Sequence, residues 1–325
     1  LDCQHPDVSA VVLEKLRETL KKKSNYDSHY WCRIAGQLPV EALPELEAIM
    51  ADPKYVHALH NRGIIFFNLL KPSEAVADFT TLIGINPKDQ EAYNERGLAY
   101  AYQEKFTEAI ADYTKAIELT PKLVFAYNGR GIAYSNLMKY EEAIADYTKA
   151  IELDPQYVEA YANRGRSHKE FKKYPEAIAD YTKAVELDPR YVAAYIGRGV
   201  AYNDLKKHPE VVADATKVIE LAPQYWGGHF ERGLAYSNLK KYPEAIKDFT
   251  KVIELDPKYA GGYYNRGDAY ANLKKYAGAI ADYTKAIELN PLVPDPYYNR
   301  GKVYKALGKE KEADADFAKA KLLEK

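Results

Sequence analysis

Cysteine, methionine and tryptophan are scarce, with two of each in a chain of 325 residues. Two cysteines, Cys3 and Cys32, make neither a disulfide scaffold nor a cysteine-built zinc site. They read as free thiols, or as one disulfide if the compartment is oxidising. An excess of either charge is also missing. With 46 Lys and Arg against 47 Asp and Glu the net charge is −1, which excludes a bulk nucleic-acid coat and a polybasic membrane binder. No apolar run reaches the roughly 18 residues that suggest a membrane span. There is no glycine-rich phosphate loop, nucleophile elbow or zinc-protease helix, and no N-x-Ser/Thr sequon. What remains is a chain that is 47% apolar, enough to build a core, with no sequence device for catalysis and no cofactor expected.

One residue type is abundant: 30 tyrosines stand against 9 phenylalanines. Their placement follows an internal repeat. Arg-Gly recurs at Arg62-Gly63, Arg96-Gly97, Arg130-Gly131, Arg164-Gly165, Arg198-Gly199, Arg232-Gly233, Arg266-Gly267 and Arg300-Gly301, every 34 residues without insertion or deletion. Each unit is counted so that its glycine is position 8; repeat 2 then begins at Gln90 and repeat 4 at Val158. At positions 4, 8, 11, 20, 24, 27 and 32, repeat 2 carries Tyr93, Gly97, Tyr100, Ala109, Tyr113, Ala116 and Pro121. Repeat 4 carries Tyr161, Gly165, His168, Ala177, Tyr181, Ala184 and Pro189 at the same places. Over residues 55–325 the sequence therefore resembles a tetratricopeptide-repeat protein, whose 34-residue unit is a helix–turn–helix. The resemblance implies an all-α fold, a right-handed α-solenoid of antiparallel helix pairs with eight repeats.

The residues support that reading on their own. Positions 4, 8 and 11 share a face of the first helix, A, and positions 20, 24 and 27 share a face of the second, B. Small residues at 8 and 20 let the two backbones approach, and large ones at 4, 11 and 24 fill the space around them. Proline at 32 stops helix B. No unit buries its apolar faces alone, so neighbours must stack. Twenty tyrosines occupy positions 4, 11, 17 and 24, and five more, Tyr55, Tyr157, Tyr191, Tyr225 and Tyr259, follow Asp-Pro or Ala-Pro. These are assigned to packing, which leaves Tyr26, Tyr30, Tyr102, Tyr264 and Tyr298.

The ends depart from the pattern. Residues 1–54 read as an N-terminal helical cap with a degenerate repeat, its helices near 8–20, 28–38 and 40–50. In repeat 8 the apolar residue of position 21 becomes Asp314 and the aromatic of position 17 becomes Glu310. The last helix is expected to cap the array near Lys325. A cytoplasmic location is favoured, or an exported one if a signal precedes Leu1.

Position 7, commonly Leu in the family, is Arg in every repeat, and position 23 is always Asp. The pairs are Arg62 with Asp78, Arg96 with Asp112, Arg130 with Asp146, Arg164 with Asp180, Arg198 with Asp214, Arg232 with Asp248, Arg266 with Asp282 and Arg300 with Asp316. They are expected to be structural ion pairs crossing from helix A to helix B, in the same or an adjacent repeat. An arginine ladder for an anionic ligand is the rival reading, and it has no use for an Asp each time.

The resemblance also implies where a ligand would lie: on the concave face lined by positions 2, 5, 6, 9, 12 and 13 of helix A. Eleven asparagines stand there, Asn61, Asn68, Asn94, Asn128, Asn136, Asn163, Asn203, Asn238, Asn265, Asn272 and Asn299. Each offers a donor and an acceptor that match a peptide backbone. Phe230, Tyr264 and Tyr298 at position 5 of successive repeats are expected to form an aromatic stripe, with Gly227 and Gly261 leaving room beside it. Phe67, Tyr102 and Phe125 add rings nearer the N-terminus. The acids Glu91, Glu95, Glu159, Glu170, Asp204, Glu231, Asp268 and Asp295 outnumber the bases Arg166, Lys169, Lys302 and Lys305, so a neutral or basic peptide fits better than nucleic acid. The family subset that holds acidic chaperone tails needs Asn at position 9, and none occurs there. His168, His208 and His229 replace packing aromatics; His57 and His60 have no carboxylate or cysteine beside them in sequence, and no metal is expected. The expected function is a non-catalytic scaffold that binds an extended peptide. The alternative is self-assembly, with the N-terminal segment of one copy occupying the groove or end of the next; a carbohydrate groove or a recognition arm of a larger enzyme are further variants.

Overall fold

In the computed structural model, residues 56–324 are described. The N-terminal cap read over 1–54, both cysteines, Tyr26, Tyr30 and the side chain of His57 lie outside the described residues. The described residues are all-α. Each repeat is one pair of antiparallel helices, A over positions 1–13 and B over positions 17–30. The pairs are Val56–Asn68 with Pro72–Ile85, Gln90–Tyr102 with Phe106–Leu119, Val124–Asn136 with Tyr140–Leu153, and Val158–Glu170 with Tyr174–Leu187. They continue with Val192–Asp204 and His208–Leu221, Trp226–Asn238 and Tyr242–Leu255, Ala260–Asn272 and Tyr276–Leu289, and Pro294–Ala306 and Glu310–Leu323. The described residues divide into two compact units, with the boundary between Asn163 and Arg164; within each, consecutive pairs stack on one another. Among the described residues no helix is long and apolar enough to cross a membrane.

The helix ends follow from a few residues. Helix A closes in a Schellman turn: in repeat 2, Lys105 N–H donates to Tyr100 C=O at 2.9 Å and Glu104 N–H to Ala101 C=O at 3.0 Å. The residue at the turn is left-handed. Seven repeats place a side chain there, Leu70, Glu104, Met138, Lys172, Lys206, Lys240 and Lys274 at φ 56–60°, and the eighth uses Gly308. Helix B gives way to an Asx turn: the Asp154, Asp188 and Asp256 carboxylates accept from the N–H two residues on, and the intervening proline prevents continuation.

Packing inside a pair depends on one glycine. A Cβ on Gly131 would sit 2.7 Å from the ring of Tyr147, and one on Gly233 2.7 Å from that of Phe249. The absence of that carbon lets the position-24 ring lie flat on helix A. Alanines at positions 20 and 27, such as Ala143 and Ala150, are fully buried beneath it.

All eight arginines bond within their own repeat, and six of them join a third helix. Every one reaches the Asp of its own repeat with two parallel bonds, Nε to Oδ2 and Nη2 to Oδ1, at 2.6–3.0 Å. Nη1 then donates to a threonine on helix B of the preceding repeat: Arg96 to Thr80, Arg130 to Thr114, Arg198 to Thr182, Arg232 to Thr216, Arg266 to Thr250 and Arg300 to Thr284, at 2.8–3.1 Å. Tyrosines at positions 4 and 11 flank the guanidinium, as Tyr93 and Tyr100 do for Arg96 at 5.7 and 5.8 Å. The position-4 phenols also reach back to the proline carbonyl before their helix, as in Tyr195 to Pro189 at 3.3 Å. The Asp146 carboxylate holds the Arg130 guanidinium above its usual pKa.

Arg130 and Asp146 keep only 17% and 8% of their side-chain surface exposed. Removing one partner strands the other out of water, a loss of about 3–5 kcal/mol, whereas the bond from the charged guanidinium to the threonine hydroxyl contributes about 1.5 kcal/mol. Arg130→Ala is therefore expected to destabilise its unit by about 3 kcal/mol or more, Thr114→Val by about 1.5 kcal/mol, and the joint Arg130→Met/Asp146→Leu replacement far less than Arg130→Ala. Urea unfolding followed by circular dichroism ranks them; an Arg130→Ala variant that unfolds like the parent would refute the junction.

Candidate functional site

Positions 2, 5, 6, 9, 12 and 13 share one side of each A helix, opposite to the side that packs on helix B. In the first unit this face centres on Asn128, which is buried. Its Nδ2 donates to Tyr157 Oη at 3.2 Å, and its Oδ1 accepts from Asn163 Nδ2 at 3.1 Å. Position 5 of one repeat is thus tied to position 6 of the next. Phe125 stands beside them with its edge on Tyr157 at 5.7 Å, and Tyr102 is edge-on to Phe67 at 5.5 Å. Both rings are exposed, 53% for Phe125 and 54% for Tyr102. Asn94 donates to Glu95 Oε1 at 3.2 Å, while its own Oδ1 is buried without a partner. Asn136 is exposed and turns its amide back onto the Ile132 carbonyl at 2.9 Å.

In the second unit Asn299 makes the corresponding bridge. Its Nδ2 donates to Tyr264 Oη and to Asp268 Oδ1, each at 3.0 Å, and Tyr283 Oη donates to the same carboxylate oxygen at 2.6 Å. Burial raises the Asp268 carboxyl above the usual carboxylate range and drives the Tyr283 phenol far up. Asn265 and Asn272 donate to the Gly261 and Asp268 carbonyls at 2.8 Å, which leaves their Oδ1 acceptors without a hydrogen bond among the described residues. Asn203 and Asn238 are exposed and make no hydrogen bond among the described residues. Arg166 is exposed, and Lys169 pairs with Glu170 at 2.9 Å.

The aromatic residues are arranged differently from a continuous stripe. Each leans on the position-24 ring of its own repeat: Phe230 on Phe249 at 6.0 Å, Tyr264 on Tyr283 at 6.1 Å and Tyr298 on Phe317 at 5.6 Å. Tyr298 is the exposed one of the three, with Lys302 Nζ 5.3 Å above its ring. The room expected at Gly227 and Gly261 is already filled. The rings of Tyr225 and Tyr259 fold back over their own helix starts, 2.4 and 2.7 Å from where those Cβ atoms would be. Together with Trp226, which meets Tyr259 at 4.4 Å and Phe230 at 5.9 Å, they make an aromatic cluster at the start of repeat 6. Trp226 has no counterpart in the other repeats and was legible as such in the sequence. Among the described residues no three of His, Cys, Asp and Glu gather in a way that would hold a metal.

Two half-buried glutamates lie on this face, and burial raises both carboxyls above their usual range. For Glu95 the raised folded-state pKa means that folding disfavours the charged form. That cost is absent below the ordinary value of 4.5, grows as pH rises through the folded-state value, and is complete above it. Glu95→Gln keeps an acceptor for Asn94 and removes the cost. The variant is expected to melt at a higher temperature than the parent at pH 7, with the gain vanishing below about pH 4.5; differential scanning calorimetry across pH tests this, and an equal gain at both ends would contradict it.

Comparison with known proteins agrees with the geometry. Tetratricopeptide-repeat family models match residues 124–157, 158–191 and 228–259, a second matches 249–281 and a third 294–325. A TPR-repeat model matches 97–137 and 267–308. No curated protein sequence matches the chain. Among solved structures, YrrB, described as a TPR protein with an unusual peptide-binding site, is 27% identical over 55% of this chain and 92% of its own, with a TM-score of 0.51. A tetratricopeptide-repeat protein from Parabacteroides merdae is 21% identical over 79% of this chain and 98% of its own, with a TM-score of 0.54, and shows the fold alone. The anaphase-promoting complex assembly Cut9–Hcn1 is similar in fold at 19% identity, covering 89% of this chain and 58% of that one, with a TM-score of 0.51. With matches spanning 97–191 and 228–325, more than half of its length, the chain belongs to the tetratricopeptide-repeat family.

Proposed function

We propose that the protein is a non-catalytic scaffold that holds an extended, neutral or basic peptide segment along the concave face of its A helices. The observation that carries this reading is the chemistry of that face. In the second unit, asparagines with uncommitted groups, Asn203, Asn238, Asn265 and Asn272, stand on the same helix face as the exposed ring of Tyr298; in the first unit that face carries the exposed rings of Tyr102 and Phe125. Amides of this kind match the donors and acceptors of a backbone, and the rings supply apolar area at low entropic cost. The half-buried carboxyls of Glu95, Glu231 and Asp268 favour a partner that brings donors or positive charge. The described peptide-binding site of YrrB, a relative in fold and partly in sequence, supports the same class of ligand.

The residues also divide into those that bind and those that hold the fold. Asn128, Asn163 and Asn299 bridge neighbouring helices, so their loss should lower the melting temperature. Asn272 and Tyr298 are exposed. A displayed random-peptide library panned on the full chain is expected to yield binders whose affinity falls about tenfold with Asn272→Ala or Tyr298→Ala, at unchanged melting temperature. Failure to enrich any peptide, or binders indifferent to both substitutions, would count against the groove. Light scattering over a concentration series tests the alternative: a mass constant at 36.8 kDa excludes self-assembly, and a climbing mass makes the partner a second copy.

A further inference from the structure

Seven repeats place an aromatic ring at position 24, Phe79, Tyr113, Tyr147, Tyr181, Phe249, Tyr283 and Phe317; repeat 5 has Ala215. In the other repeats a Cβ on glycine 8 would press on that ring, whereas at Gly199 the nearest such atom is Asp214 Cβ at 3.8 Å. Val211, the one valine at position 20, recovers part of the space. A cavity of about 250 Å³ remains, larger than the apolar hole of about 150 Å³ that suffices for benzene. It is open to solvent: of the eight position-8 glycines, Gly199 alone is not buried.

The lining shows which way the opening faces. Ile196 and Val200 stand at positions 5 and 9 of one A helix, and Gly227 and Glu231 at positions 2 and 6 of the next. Those positions belong to the concave face. The hole therefore opens between two A helices, on the side assigned to the bound segment.

A side chain entering from that side keeps its backbone at the rim and sends its tip to the floor. The floor is Gly199, Val211, Ala215 and Val218, which bring no polar side-chain atom to it. A hydroxyl, an amide or a charge carried there would give up water without finding a partner. The occupant therefore ends in carbon. The walls decide between a ring and an aliphatic chain. Trp226, Phe230 and Tyr259 meet one another tilted or edge-on, with centroids 4.4–5.9 Å apart. A further ring extends that cluster, and an aliphatic chain forgoes its quadrupole contacts. Phe79 and Phe249 show that the equivalent space in other repeats accepts an unsubstituted ring, since both are fully buried there.

We infer that the cavity of repeats 5 and 6 is a specificity pocket for a phenylalanine side chain of the bound segment, its ring filling the space that the missing position-24 aromatic leaves. The inference rests on the peptide-scaffold reading for the source of that side chain.

Toluene, the side chain alone, tests the pocket, and the Trp226 indole N–H resonance of the full chain reports on it. A saturable shift of that resonance is expected. The double variant Val211→Ala/Ala215→Phe reproduces Ala245 and Phe249 of repeat 6; it should melt at a higher temperature and lose the toluene shift. Ala215→Leu fills the hole in part and should weaken toluene binding without the second change. No saturable shift in the parent chain, or an unchanged one in both variants, overturns the pocket. Peptides panned from a random library on the full chain complete the test. They are expected to carry a phenylalanine whose replacement by tyrosine weakens binding at least ~10-fold, and to bind the double variant as poorly. Peptides anchored in the hole by tyrosine or by an aliphatic residue overturn the assignment to phenylalanine. Peptides indifferent to both variants overturn the inference and leave the groove standing. Toluene binding with no peptide enriched removes the groove, and with it the phenylalanine of a bound segment.

Discussion

A guanidinium shared by three helices sets the geometry on which the other contacts depend. Two of its bonds fix helix A against helix B through one carboxylate, and the third fixes that pair against the helix before it. A fork of rigid, planar donors suits this task because it prescribes angle as well as distance. Its net contribution to stability is modest, since desolvation offsets most of the attraction. Its contribution to register is larger: the threonine bond is made only when successive repeats meet in one relative position. The tyrosines belong to the same arrangement, flanking the charge with their faces and anchoring their hydroxyls on the proline carbonyls.

The polar junction works alongside an apolar one. Glycine 8 and the ring at position 24 form a lock in which the smallest residue receives one of the largest. Where the A helices meet side by side, the contact is polar again, through Asn128 with Asn163 and through Asn299 with Tyr264 and Asp268. The surface left for a ligand is what these contacts do not use. It is narrower than the number of asparagines suggests, because several of them hold the scaffold that presents the others.

The period of 34 and the residue types within it made helices, pairing and ion pairs legible from the sequence. What escaped has physical reasons. Thr80 and its equivalents at position 25 look like any exposed helical threonine, although the signal was present: seven repeats carry Thr and the eighth carries Ala318, after which no further arginine follows in this sequence. The left-handed residue ending helix A is not glycine in seven repeats, so the usual mark of that turn is missing. Gly227 and Gly261 read as open space, but a missing Cβ admits a chain's own ring as readily as a ligand, and Tyr225 and Tyr259 are two residues away. For Asn136, Asn265 and Asn272 the periodicity gives the face, while the side-chain torsion decides whether the amide points to solvent or to the carbonyl four residues back.

In an array of this kind each repeat touches mainly its neighbours, so a pull along the chain passes through the interfaces one after another. A series connection yields where its weakest member is. In the second unit the fifth repeat is the one with an alanine, Ala215, in the place of the ring, which leaves a hole against Gly199 and Val211 and less packing to resist shear. Occupying the hole would stiffen that one element and thereby the unit it belongs to, making the tension the unit can carry dependent on what is bound inside it.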